Sequence, residues 1–379
     1  MRIGIDARYL SHGLVGGVHL YLRHLLPEVI RHSTDHQIVL YADTKRPFEL
    51  SDLPGHVTLR VLPYRNGVSS VAHDWLTLKR WMAEDRLDVA HFPANYGFAP
   101  AGARCVITLH DEINILPLLD ILKGHRKDVR TMGMMTYLHV ASTAAVRSAD
   151  LLLTVSGYAQ RQIAHYSRLP LDHIVPIYHG RMPDLQRVTD PARLAEVRTR
   201  LGVPEHFVLA DGIKNPAVLT RAWRRLPPEL AEQYRIVFFS RRPDPPAAVT
   251  EAVAAGHAVL LVRPERPDLV ALFSQAAAFV FPSWIEGFGI PILEAYTCGA
   301  PLIASTAGSI PEVAGDAALL MDAEDDATLA RYLTRVLGEP ELAADLRARG
   351  FARAAEFSWS RAAQETLGAY ARALTIGRR

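Results

Sequence analysis

Two carboxylates separated by seven residues stand in the run Phe281–Pro301, FPSWIEGFGIPILEAYTCGAP. The run reads as a buried strand end, a sharp glycine turn and the opening of a helix. Glu286 falls in the loop before the helix, and Glu294 falls about one turn inside it. Gly287 and Gly289 flank Phe288, so backbone amides there can approach a ligand with no Cβ in the way. Amides pointing out of a helix start favour an anion such as a phosphate. The arrangement offers amides for a diphosphate, from Gly287 to Ile290, and two acceptors for sugar hydroxyls. An ordinary strand–turn–helix with solvated glutamates is the competing reading for either glutamate alone.

Other residues could complete such a site. Lys214, in Asp211-Gly212-Ile213-Lys214-Asn215-Pro216, stands between a strand and a helix, where an ammonium can neutralise a diphosphate by charge-assisted hydrogen bonds. Arg263, after another strand, either lines a nucleotide pocket or caps the strand. Thr108-Leu109-His110-Asp111-Glu112 puts polar groups at a strand end, where open α/β sheets bind ligands. His110 reads as a donor to a sugar hydroxyl or as a structural histidine bonded to a loop backbone; Asp111 either orients it or caps a turn. Gly16 and Gly17 precede a helix and read as a phosphate or hydroxyl cradle, or simply as a flexible turn. They lack the G-x-G-x-x-G spacing of a dinucleotide site.

These residues need a frame to position them. Short β-branched runs alternate with helical patterns along the whole chain, which predicts parallel sheets with helices on both faces. Strands are expected at Arg2–Ala7, Gln37–Ala42, Val57–Pro63, Val89–Phe92, Cys105–Leu109 and Leu151–Val155. Helices are expected near Val18–Arg31, His73–Asp85, Lys127–Ala149 and Gly157–Tyr166. The pattern weakens over 176–205, read as a connection into a second α/β unit. That unit's strands are expected at Phe207–Ala210, Arg235–Ser240, Ala258–Val262, Ala278–Pro282 and Leu302–Ser305. Its helices lie between them, with Asp325–Leu337, Pro340–Ala355 and Ser360–Ile376 closing the chain.

The chain's 379 residues are long enough for two or three domains with real cores. A net charge of +2 gives no reason to expect nucleic acid as a partner. Cys105 and Cys298 have neither metal-ligand nor redox spacing and read as small buried residues. Fourteen of the sixteen histidines precede residue 180, yet none forms a metal set; His32 and His36, at i and i+4, read as solvated. The opening MRIGIDARYL runs straight into a strand, without the apolar run of a signal peptide, so a cytoplasmic chain is expected. Lys123, Arg126, Lys127 and Arg130, near Met132, Met134 and Met135, either form a solvated face over a core stripe or a peripheral contact with the inner membrane face.

The strings Pro282-Ser283, Glu286-Gly287-Phe288-Gly289-Ile290-Pro291, Glu294-Ala295 and Cys298-Gly299-Ala300-Pro301 together resemble the signature of the retaining nucleotide-sugar glycosyltransferases of family 4. Gly308, Ile310-Pro311-Glu312-Val313 and Phe357-Ser358-Trp359 also match. The resemblance is dense over roughly 260–375. It is looser in the first half, where Gly16-Gly17, His110-Asp111 and Val155-Ser156 fit the plan. It implies an α/β GT-B architecture, with two Rossmann-like doubly wound domains facing across a cleft: 1–180 with a returning C-terminal helix 358–379, and 181–357. It also implies a metal-independent transferase that moves a hexose-type sugar, with retention, from a UDP- or GDP-sugar to a glycan, lipid-linked or small-molecule acceptor. Glu286 would contact the donor sugar and Glu294 the ribose. Gly287, Phe288 and Gly289 would supply backbone, Lys214 and Gly17 would approach the diphosphate, and His110 would sit at the reacting sugar.

One departure stands out. The family places an arginine shortly before the lysine, and the segment here, Val208-Leu209-Ala210-Asp211-Gly212-Ile213-Lys214, has none. Either Arg241 or Arg242 substitutes, or donor binding is weakened and the chain is a non-catalytic sugar-nucleotide-binding or scaffold protein. An aspartate pointing inward would itself repel a diphosphate.

Overall fold

The computed structural model describes residues 1–13, 16–64, 76–123 and 128–377, and in these thirteen strands build two all-parallel sheets. The chain divides into two units, 1–180 with 358–379, and 181–357. Unit 1 carries β1 (Arg2–Asp6), β2 (Gln37–Asp43), β3 (Val57–Leu62), β4 (Val89–Phe92), β5 (Arg104–Thr108), β6 (Leu151–Thr154) and β7 (Ile174–Pro176) in the order β3-β2-β1-β4-β5-β6-β7. Unit 2 carries β8 (Phe207–Asp211), β9 (Arg235–Ser240), β10 (Ala258–Val262), β11 (Ala278–Phe281), β12 (Leu302–Ser305) and β13 (Ala318–Met321) in the order β10-β9-β8-β11-β12-β13. Both are Rossmann-like. The strand order reverses between β1 and β4 in one sheet and between β8 and β11 in the other. The crevice outside the carboxyl ends at such a reversal is where open α/β sheets hold ligands.

The strands are apolar because helices cover both faces of a parallel sheet. Every residue of β4, β6, β11 and β12 is buried. In unit 2 the core gathers Val208, Ala210, Ile236, Phe238 and Val280 from the strands with Val218, Leu219 and Trp223 from the helix α1 (Pro216–Trp223). Each large side chain so buried contributes about 1.5–3 kcal/mol. On the other side Phe239, Phe273, Phe279 and Phe281 form a ladder of rings, with Phe273 and Phe279 edge to face at 4.9 Å.

Several regions differ from expectation. The stretch read as a connection contains a helix, Pro191–Leu201. It buries Val197 alone, so no apolar stripe betrays it, but Asp190 caps Ala192 N at 3.0 Å with proline at the first turn and Gly202 at its end in the left-handed region. The strands β7 and β13 were not expected. Both lie at sheet edges; β7 is three residues long and ends in proline, and β13 is built from Ala, Leu and Met. The expected helices starting at His73 and Lys127 begin, among the described residues, at Leu78 and Val129. Residues 73–75, Arg126 and Lys127 lie outside the described residues, and of the basic cluster only the backbone of Lys123 and Arg130 is described; no described helix is long and apolar enough to cross a membrane.

The final helix (Trp359–Thr375) belongs to unit 1 and begins from the cap Ser358. The chain leaves unit 1 at Gly180 and re-enters it beside the same point: a Cβ on Gly180 would lie 2.2 Å from Trp359 N. Across the break, Arg181 N donates to Phe357 O at 3.3 Å, so the two ends of unit 2 also meet.

Candidate active site

The helix α2 (Ile290–Cys298) starts at Gly289, whose φ of +93° is a left-handed conformation that glycine adopts without strain. Pro291 at its first turn and Gly299 beyond its end fix its limits. This places Glu286 in the loop after β11 and Glu294 on the first turns of α2, as the spacing predicts. Phe288 is buried, edge to face with Phe357 at 5.9 Å, so this residue offers backbone to the loop surface. The loop is propped from behind. Ser309 donates to Glu286 O from both N (3.1 Å) and Oγ (3.0 Å), and Ser305 Oγ donates to Ser283 O at 2.6 Å. Gly308 lies so close that a Cβ there would be 2.6 Å from Glu286 O.

Lys214 follows β8, and its Nζ lies 2.8 Å from Glu286 Oε1. The pair thus spans the reversal point of the sheet, joining the loop after β8 to the loop after β11. Asn215, buried and at φ +53°, sets the lysine: its Nδ2 donates to Pro282 O (3.1 Å) and Ala323 O (2.7 Å). Asp211 does not project freely. Its Oδ1 accepts from Ile213 N at 2.9 Å in a tight turn. Burial raises its pKa, with Lys214 and Arg241 drawing it down and Glu286 pushing it up. Glu294 is buried and bound by Arg266 Nη1 at 2.5 Å. Arg263 sits at φ +50°; its N donates to Ser240 O (2.7 Å) and its Nε to Arg241 O (3.1 Å), which is a strand-closing geometry. Among the described residues no group of three or more His, Cys, Asp or Glu is arranged to hold a metal. His32 instead contacts Ser360 Oγ at 2.7 Å, and both cysteines are buried thiols.

In unit 1, His110 follows β5 and turns back to the loop after β4. Its Nε2 donates to Pro93 O at 2.9 Å, and its backbone N donates to Asn95 Oδ1 at 2.8 Å. Its ring stands edge-on to Tyr21 at 4.9 Å and lies 6.0 Å from His179. Burial takes its pKa down to about 4, so near neutral pH the ring is an uncharged imidazole with the proton on Nε2. Asp111 Oδ1 accepts from Ile113 N at 3.0 Å, the turn-capping geometry. Gly16 caps and Gly17 opens the helix Gly17–His32; a Cβ at either would meet nothing within 4 Å among the described residues. The neighbouring Leu14 and Val15 lie outside the described residues.

Comparison with known proteins decides the family. The profile described as "Glycosyltransferase Family 4" matches residues 15–184, and that described as "Glycosyl transferases group 1" matches 208–339. The O-antigen chain mannosyltransferase B of Escherichia coli is 30% identical over 301 residues, 76% of each chain. The chain belongs to glycosyltransferase family 4. A D-inositol 3-phosphate glycosyltransferase of Catenulispora acidiphila is 28% identical over 62% of this chain and 60% of that relative. Among solved structures, sucrose-phosphate synthase from Thermosynechococcus elongatus superimposes with a TM-score of 0.70 at 18% identity, covering 99% of this chain and 100% of that one. HepE of Anabaena, solved with UDP and glucose, superimposes at 0.69 and 18% identity over 98% and 99%. At these identities the two structures speak for the GT-B fold alone.

Sequence reasoning about this glycosyltransferase missed several residues that hold its loops. Arg266 on Glu294 and Ser309 behind Glu286 are contacts across 28 and 23 residues. No local pattern announces either. Asn215 was visible as a helix-start residue, but its left-handed backbone and paired carbonyl partners were not.

Proposed function

We propose that this family 4 glycosyltransferase moves a hexose-type sugar from a nucleoside diphosphate, UDP- or GDP-linked, to a hydroxyl of a glycan, lipid-linked or small-molecule acceptor, with retention and without a metal. The observation that carries the reading is the Lys214–Glu286 pair at 2.8 Å across the reversal of the unit 2 sheet. The lysine side chain is 36% exposed, and such a pair is worth about 1 kcal/mol or less. A diphosphate therefore displaces Glu286 from Lys214 at little cost, and the freed carboxylate takes sugar hydroxyls. The amides of Gly287, Phe288, Gly289 and Ile290 face the phosphates, Glu294 takes the ribose, and Arg263 holds the neighbouring loop. Gly16 and Gly17 open a helix suited to a phosphate, and His110 serves the reacting sugar as a neutral imidazole. In the transfer the anomeric C–O bond to the diphosphate breaks and the acceptor oxygen bonds to the same face of that carbon. The acceptor's proton passes to the departing diphosphate oxygen. Catalysis rests on positioning and on neutralising the leaving group.

The test is a thermal-shift screen of UDP, GDP and their hexose conjugates, followed by product analysis of the best donor. A ligand present at a hundred times its Kd stabilises by about 2.7 kcal/mol. One nucleotide is expected to stand out and its sugar to be transferred with the α or β configuration kept. Inversion of configuration, or activity requiring an added divalent ion, would overturn the corresponding part. Tight nucleotide binding with neither transfer nor hydrolysis favours a scaffold instead.

A further inference from the structure

The charges around Lys214 do not balance for an anionic ligand. Asp211 and Glu286 are two carboxylates about one ammonium, and an excess of negative charge repels a diphosphate. The segment that leads into the lysine, residues 208–213, contains no arginine. The compensating charge must come from another part of the unit.

We infer that Arg241, at the carboxyl end of β9, is the second cation that holds the donor's diphosphate. The inference rests on the reading that this site takes a nucleoside diphosphate. β9 lies beside β8, with Phe239 in register with Asp211 and Gly212 N donating to Phe239 O at 2.8 Å. Arg241 therefore leaves its strand next to the turn that carries Lys214. The two cations act together on the Asp211 carboxyl. The guanidinium of Arg241 is exposed, and among the described residues it makes no ion pair. Its neighbour does: Arg242 is bound to Asp244 at 2.9 Å, and its backbone is pinned by Ser240 Oγ. Arg221 and Arg266 are likewise taken by carboxylates. The backbone of Arg241 is held by the bond from Arg263 Nε to its carbonyl, so its position is fixed while its head group is free. A free, planar guanidinium with paired donors suits a diphosphate oxygen pair.

The test compares wild type with Arg241→Ala, Arg241→Lys and Arg242→Ala by calorimetry, with UDP and GDP as ligands and uridine and guanosine as phosphate-free controls. Arg241→Ala is expected to weaken the diphosphate about ten- to a hundredfold. The nucleoside should change less than twofold, Arg241→Lys should fall between, and Arg242→Ala should match wild type. Wild-type affinity of Arg241→Ala for the diphosphate overturns the inference and leaves the reading of the site intact. Equal loss of nucleoside and diphosphate overturns it too. Failure of wild type to bind either nucleotide overturns the reading beneath it, and the inference falls with it.

Discussion

At the reversal point of the unit 2 sheet stand Asp211, Lys214, Arg241 and Glu286, charged side chains held in or near ion pairs. The corresponding region of unit 1 is lined by rings: Tyr21, His110, His179 and Trp359 lie within 4.9–6.1 Å of one another by successive contacts. Beneath them runs a buried chain of hydrogen bonds. Tyr370 Oη lies 2.7 Å from His91 Nδ1, His91 Nε2 lies 2.8 Å from Thr108 Oγ1, and Tyr21 Oη lies 3.4 Å from the same oxygen. Burial takes the His91 pKa down to about 3 against the pull of Asp6, so the ring is neutral and one of its nitrogens donates while the other accepts. His179 is lowered as well, by burial and then by His110. The two reversal points thus differ in their electrostatics. Unit 2 pairs its charges near solvent, whereas unit 1 packs neutral imidazoles beside one buried ion pair, Arg8–Asp6 at 2.7 Å.

The largest test of that contrast is acid. His91, His110 and His179 have folded pKa values below the unfolded value near 6.5, so the unfolded chain binds their protons first. Their stabilising contribution is complete above pH 6.5 and is lost as pH falls through 6.5 toward 4. Each costs up to about 1.4 kcal/mol per pH unit in that window. Hydrogen exchange read by mass spectrometry is expected to show β4, β5 and the final helix losing protection before β8 and β11. Unit 2 opening first would break the comparison.

Next in size is the charge-keeping side. Glu286→Gln removes the charge and keeps the shape; turnover should fall about a hundred- to a thousandfold, as for loss of one preorganised transition-state contact. Nucleotide affinity should move only a few fold. Unchanged turnover in initial-rate assays would remove Glu286 from its role. Smaller still is Gly308→Ala. At φ +62°, with Glu286 O and N within 2.7 Å of the new Cβ, the substitution should cost about 1–3 kcal/mol in chemical unfolding and lower turnover with it. A loss of stability with full activity would mean that the loop relaxes without moving the carboxylate.

How much of this was legible beforehand follows range of interaction. β4, β9 and β12 fall at their predicted limits, because buried parallel strands are written as continuous apolar runs between breakers, and the half-exposed edge strand β10 is bounded as predicted too. Glu286 and Glu294 fall where the Gly287–Gly289 turn and Pro291 put them, since local turn chemistry sets the start of α2. What stayed hidden is tertiary. His110 carried two readings, and its bond to Pro93 O is the structural one. The mutual neutrality of three histidines depends on burial that no spacing in the sequence encodes. The tie between Arg266 and Glu294 depends on two helices packing side by side.

The bond from Arg181 N to Phe357 O, with Gly180 against Trp359, makes unit 2 an insertion in the topological sense. Unit 1 is one domain interrupted in sequence, and the interruption begins and ends at adjacent points. Removing 181–357 leaves a gap in unit 1 that a short linker spans, and the loop-closure entropy of so short a join is small. The same adjacency lets the ends of the excised unit 2 be joined, opening the way to circular permutants with new termini in surface loops. Unit 2 is in this respect exchangeable cargo on a host whose own chain closes without it.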